Sequence, residues 1–146
     1  PLEGRTMPTR PRLLILDDDD ALRETLSEVF SQAGYSISQA DSAHGALAIV
    51  RKRGIDCSIF DVHLPDSCGI GVFREAVQLQ PKLRGILTSA AGTPALRGAA
   101  MQAGAFFFLD KPFRIEPILG LVARAVRGES RPELPAPGAP ERRGLW

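Results

Sequence analysis

Three apolar stretches of this chain each end in charge. Leu13-Leu14-Ile15-Leu16 runs into Asp17-Asp18-Asp19-Asp20, Ile59-Phe60 into Asp61, and Phe106-Phe107-Phe108-Leu109 into Asp110-Lys111-Pro112. A fourth apolar stretch, through Ile86-Leu87-Thr88, delivers the hydroxyl of Ser89. Carboxylates gathered at one place repel unless a cation neutralises them, and oxygen ligands with open water positions suit Mg²⁺. A metal, a carboxylate, an ammonium and a hydroxyl together are what a phosphoryl group needs. The metal and the lysine neutralise its oxygens, the hydroxyl donates a hydrogen bond, and the carboxylate attacks in line. Asp61 is the central candidate for that nucleophile. Asp17 and Asp18 are kept for the metal, Lys111 for the ammonium and Ser89 for the hydroxyl, while Asp19, helped by Asp20, is assigned to capping the helix that follows.

Such a site exists only if the strand ends meet. An apolar run followed by a helix-period segment recurs five times along the chain. The strands are expected at 12–16, 35–40, 55–60, 84–88 and 105–109. The buried faces of the intervening helices are marked by Leu22, Leu26, Val29 and Phe30, then by Ala43, Ala46, Leu47 and Val50, then by Val72, Phe73, Ala76 and Val77. Leu96, Ala99, Ala100 and Ala103 mark the fourth helix, and Ile118, Leu121, Val122 and Ala125 the fifth. Gly34 closes the first helix, and Thr93-Pro94 opens the fourth. The alternation predicts an α/β fold with an open, doubly wound parallel sheet of five strands in the order 2-1-3-4-5 and helices on both faces. In such sheets ligands bind beyond the carboxyl ends of the strands, at the topological switch point. The first and third strands are neighbours in that order, so Asp17, Asp18 and Asp61 converge.

Composition narrows the class. With 146 residues, 44% hydrophobic and 24% charged, the chain is one globular domain with tails, and a net charge of +1 argues for no nucleic-acid surface. No apolar run approaches the ~20 residues of a membrane helix. Cys57 and Cys68 lack metal-type spacing, which favours a reduced, cytoplasmic setting. Residues 1–6 look like a vector-derived scar with Met7 the native start, residues 1–11 form an N-terminal tail, and the domain runs over 12–127. Residues 128–146, with Pro132, Pro135, Pro137 and Pro140, are expected to be a disordered tail or linker.

The set formed by Leu16-Asp17-Asp18, Asp61 with Leu64-Pro65-Asp66 and Gly69, Ser89, and Lys111-Pro112-Phe113 resembles a receiver domain of two-component response regulators, a flavodoxin-like fold, over residues 12–127. The resemblance implies that Asp61 takes a phosphoryl group, in a Mg²⁺-dependent reaction, from the phosphohistidine of a sensor histidine kinase or histidine phosphotransfer protein. It implies that Asp18, Asp61 and the main-chain carbonyl of His63 hold the metal, with Asp17 acting largely through water, and that Lys111-Pro112 is a cis peptide. It further implies a switch in which Ser89 moves to the phosphoryl oxygen and Phe108 turns into the vacated space. The face made by the fourth helix, fifth strand and fifth helix would change with it. Such a protein is no enzyme in the ordinary sense, since it catalyses only its own phosphorylation and dephosphorylation, and it touches neither membrane nor nucleic acid directly.

Departures from the family pattern add expectations. Phe108 lacks the hydroxyl of the commoner tyrosine, so switching rests on packing. Phe107 stands where relatives are often acidic and alternates away from Phe108; exposed, it would make that face apolar and drive a phosphorylation-dependent homodimer. The His63 side chain reads as a solvated loop group. Ala90 and Ala91 offer nothing to position an attacking water, which predicts slow dephosphorylation. Kinase specificity is expected around Arg23 and Arg114. Two other readings compete. One is a phosphorylation-independent interaction module on the same fold. The other is a haloacid-dehalogenase-type phosphatase with Asp17 as nucleophile and Asp19 as acid, which leaves Asp61 and Lys111-Pro112-Phe113 without a role.

Overall fold

A computed structural model describes residues 9–132, and in it the alternation becomes five strands and five helices in strict succession. The strands are β1 (Arg12–Leu16), β2 (Ser36–Ala40), β3 (Cys57–Asp61), β4 (Arg84–Ser89) and β5 (Phe107–Asp110). Between and after them run α1 (Asp20–Gln32), α2 (Ala43–Lys52), α3 (Gly69–Leu79), α4 (Pro94–Gln102) and α5 (Ile115–Val126). All neighbouring strands are parallel, in the expected order β2-β1-β3-β4-β5. Among the described residues no helix is long and apolar enough to cross a membrane. The supposed scar and residues 133–146 of the tail lie outside the described residues.

The continuous apolar run of β1 follows from a sheet covered on both faces. Leu14 and Leu16 pack with Ala46 and Val50 of α2, Phe73 of α3 and Ala100 of α4, while Leu13 and Ile15 face Leu26 and Phe30 of α1 and Ile118 and Leu121 of α5. All four strand side chains are fully buried, each contributing about 1.5–3 kcal/mol. The starts of α1, α2 and α4 are set by short polar side chains. Asp19 accepts the Leu22 N–H at 3.1 Å, Ser42 the Gly45 N–H at 3.2 Å, and Thr93 the Leu96 N–H at 3.1 Å, with Pro94 in the first turn of α4. Gly34, at φ +100°, closes α1 in a conformation that side chains rarely adopt. Gly69 is demanded by space instead: a Cβ there would lie 2.0 Å from the Asp61 carbonyl oxygen. The loop after β3 therefore packs directly on the backbone of Asp61.

Phe107 overturns an expectation. It is buried, 3% exposed, in the cluster of Ile118, Leu121 and Val122, and supplies no exposed apolar patch for a dimer. The alternation is right, since Phe108 joins the opposite cluster with Leu87. The error lies in equating the other side of the strand with solvent, because in a parallel sheet that side lies beneath helices too. Residues 128–132, placed in the tail by the sequence reading, make defined contacts. Arg84 donates to the Glu129 carbonyl at 3.0 Å, and Arg131 to the carbonyls of Met101 and Ala105, both at 3.2 Å.

Candidate functional site

The register brings the strand ends level. Leu16 pairs with Phe60, Asp61 with Thr88, and Ser89 with Asp110, so the next step of each chain delivers Asp17 beside Asp61 and Lys111 beyond Ser89. Carboxylate oxygens of Asp17, Asp18 and Asp61 all lie within 4.8 Å of one another. Lys111 Nζ donates to Asp17 Oδ2 at 2.8 Å and to Asp61 Oδ2 at 3.1 Å. The Lys111-Pro112 peptide is cis.

Asp17 and Asp61 are buried and Asp18 is exposed. Burial raises the Asp61 pKa above the ordinary carboxylate value; the His63 N–H, at 3.0 Å from Oδ1, and Lys111 oppose the rise, and Asp17 adds to it. For Lys111 burial disfavours the charge, yet the bonds and proximity to Asp17 and Asp61 outweigh it and raise its pKa. Three carboxylates against one ammonium leave two negative charges uncompensated. An all-oxygen donor set with that excess fits a hard divalent cation. Asp19 is spent as the cap of α1, which leaves the phosphatase reading without its acid.

Asp17, Asp18, Asp61, Ser89 and Lys111 all lie at this edge, and three features there escape the sequence reading. The His63 ring is no free loop group: Nε2 is 2.8 Å from Ser89 Oγ, which also accepts the Ala91 N–H at 3.0 Å. A histidine two residues past Asp61 was the available signal, but its direction was not. Asp66 accepts the N–H groups of Ala43 and His44, which hold its carboxyl below the ordinary value and tie the loop after Asp61 to the start of α2. Arg97 of α4 reaches Asp110 at 2.5 Å and lies 5.0 Å from the Phe108 ring centroid, bracketing that buried ring from above. Of the two arginines expected to meet a kinase, Arg114 is exposed, whereas Arg23 is bound to the Asp17 carbonyl, Asp20 and Gln39 and braces the loop after β1. Both cysteines are free, and burial pushes the Cys57 thiol up to about 12, which leaves it unreactive.

A parallel sheet in this order, with an acidic cluster and a lysine at the carboxyl edge, defines the receiver class. The family model for the response regulator receiver domain matches residues 13–123, and the chain belongs to that family, whose members are phosphorylated on aspartate in two-component systems. It is similar to the response regulator protein TodT of Pseudomonas putida, 35% identical over 115 residues that make up 79% of this chain and 51% of that protein. The chain thus spans about half the length of that relative. A CheY-like receiver domain from Methanospirillum hungatei shares the fold at a TM-score of 0.79 and 24% identity, over 82% of this chain and 95% of that one. A response regulator from Burkholderia pseudomallei, solved with a phosphorylated aspartic acid, a calcium ion and citrate, matches at a TM-score of 0.73 and 25% identity, over 81% and 70% of the two chains.

Proposed function

We propose that Asp61 is the phosphoacceptor and that this chain takes its phosphoryl group from a phosphohistidine on a sensor histidine kinase or a histidine phosphotransfer protein. The observation that carries the reading is the placement of Lys111 Nζ between two buried carboxylates at the carboxyl edge of the sheet. In the transfer a carboxylate oxygen of Asp61 forms a bond to phosphorus as the P–N bond breaks, and the imidazole leaves with a proton. Lys111 neutralises the oxygens of the moving group, and the His63 N–H steadies the Asp61 oxygen to which it donates. Mg²⁺, held by Asp18, Asp61 and the His63 carbonyl with Asp17 acting through water, would supply charge neutralisation at the phosphoryl oxygens.

After transfer Ser89 donates to a phosphoryl oxygen, and Phe108 turns into the space that Ser89 leaves. The face of α4, β5 and α5 changes accordingly and meets a partner or a second copy, without Phe107 as an anchor. The chain acts catalytically only on its own phosphorylation and dephosphorylation, within a phosphorelay of the cytoplasm.

Phosphorylation by acetyl phosphate, with and without Mg²⁺, read on a phosphate-affinity gel for wild type and Asp61→Ala, tests the reading. A Mg²⁺-dependent shifted band that disappears in the variant is expected. A band retained by Asp61→Ala would move the acceptor elsewhere.

A further inference from the structure

The chemistry proposed above uses the main chain of His63 and leaves its imidazole without a task. Its Nε2 lies 2.8 Å from Ser89 Oγ. Ser89 is fully buried, and its oxygen already accepts the Ala91 N–H at 3.0 Å. A serine hydroxyl has one proton to donate. With the imidazole neutral and its own proton on Nδ1, the Ser89 proton points to Nε2. The main-chain N–H of the same histidine donates to Asp61 Oδ1 at 3.0 Å, and an antiparallel bridge to Cys68 fixes the loop. His63 therefore spans the mouth of the site, with its backbone on the carboxylate and its ring on the hydroxyl.

We propose that His63 is a positioning residue that holds Ser89 in the resting arrangement, so that Ser89 must leave the imidazole before it donates to a phosphoryl oxygen. The proposal rests on the reading of Asp61 as the phosphoacceptor. Ser89 exchanges one acceptor for another, and no covalent bond changes in that exchange. The ring and the phosphoryl group compete for the same proton, so His63 sets how strongly phosphorylation must pull to throw the switch. A single neutral hydrogen bond shifts such an equilibrium by about two- to tenfold. The restraint extends to Phe108, which β4–β5 pairing places beside Leu87, two residues before Ser89. A ring that merely anchored the loop would behave differently: its loss would weaken the fold without regard to Ser89.

Beryllofluoride with Mg²⁺ serves as a phosphoryl analogue, and its affinity is read by titrating amide NMR spectra of wild type, His63→Ala, Ser89→Ala and the double variant. His63→Ala is expected to bind the analogue about two- to tenfold more tightly than wild type. In the Ser89→Ala background the same substitution should change nothing. In ¹⁵N-histidine spectra the resting wild type should show the Nδ1–H tautomer of His63, with the Nε2 resonance moving on saturation. Equal affinities for wild type and His63→Ala, or the same gain with Ser89 already replaced, would overturn the proposal. If acetyl phosphate labels wild type at Asp61 while those affinities are equal, only the role of His63 fails. If wild type neither takes phosphate nor binds the analogue, the acceptor reading and this proposal fall together.

Discussion

Lys111→Met removes one ammonium and keeps most of its stem. Lys111 Nζ stands 2.8 Å from Asp17 Oδ2 and 3.1 Å from Asp61 Oδ2, and the three side chains are 17%, 5% and 6% exposed. At an effective dielectric constant of ~20 those contacts amount to about 6 and about 5 kcal/mol before desolvation. Burying the ammonium cancels much of that gain, so the expected net loss is that of a buried pair stripped of one partner, about 3–5 kcal/mol. The loss has a characteristic pH dependence. Asp61 already holds its proton more tightly when folded, because burial disfavours its charge, and losing the ammonium pushes it further the same way. A raised carboxylate pKa gives stability that is full below the unfolded value and is lost as pH rises through the folded one. Lys111 is raised as well, so its own contribution persists until pH passes its folded value, far on the alkaline side. The deficit of Lys111→Met is therefore greatest at neutral pH and shrinks as pH falls through the carboxylate range. Urea denaturation in EDTA, at steps between about pH 4 and pH 7, measures it. Equal stability at neutral pH, or a deficit that ignores pH, would refute the reasoning.

Asp61→Asn removes the charge that the fold disfavours, so its Tm should exceed that of wild type at neutral pH in EDTA, and the gain should vanish as pH falls below the carboxylate range, as calorimetry would show. Gly69→Ala would set a Cβ 2.0 Å from the Asp61 carbonyl oxygen, a backbone atom with no freedom to retreat; a loss of about 3 kcal/mol in urea is expected, together with slower phosphorylation. Arg97→Ala removes the cation from the Phe108 ring at 5.0 Å, worth about 0.5–1 kcal/mol, while its ion pair with the half-exposed Asp110 adds little. The stability change should stay small while the Phe108 ring resonances move in ¹³C NMR, and unchanged resonances would show that Arg97 does not brace the ring.

The strand order, the convergence of Asp17, Asp18 and Asp61, and the approach of Lys111 were legible because each depends on where an apolar run stops. Those signals are local, and the parallel sheet turns them into proximity. Capping by Asp19 and the opening of α4 at Thr93 belong to the same class, since a cap reaches only three residues. What escaped depends on direction. His63 was read as solvated, and the residue is indeed exposed, yet its ring reaches Ser89, 26 residues further along the chain. Periodicity places a Cβ on a side and says nothing of where a loop side chain turns. Phe107 was misread for a different reason: period 2 separates it from Phe108 correctly, but only the docking of α5 decides whether the second side is wet. Arg23 looked like a surface group because its bonds to the Asp17 carbonyl and Gln39 join segments that sequence alone keeps apart.

The resting site is built against its own stability. A fold optimised for stability alone would not set Asp17 and Asp61 in a nearly dry edge beside Asp18, nor let burial raise the Asp61 pKa. Lys111 relieves the two buried carboxylates, but one cation cannot neutralise three anions. The remaining excess is what a divalent cation would satisfy, and a phosphoryl group on Asp61 would in turn give Lys111 new oxygens to meet. Ser89 belongs to the same design, since a fully buried hydroxyl must find an acceptor in every state of the protein. In the arrangement proposed for the resting state, His63 Nε2, 2.8 Å from Ser89 Oγ, would supply that acceptor. If Asp61 takes a phosphoryl group as proposed, Lys111 and Ser89 would each gain a second partner in the phosphorylated state. On the proposed reading, that pairing of alternatives would let a phosphoryl group on Asp61 move packing at Phe108, where a stiffer and better-satisfied site would absorb it without consequence.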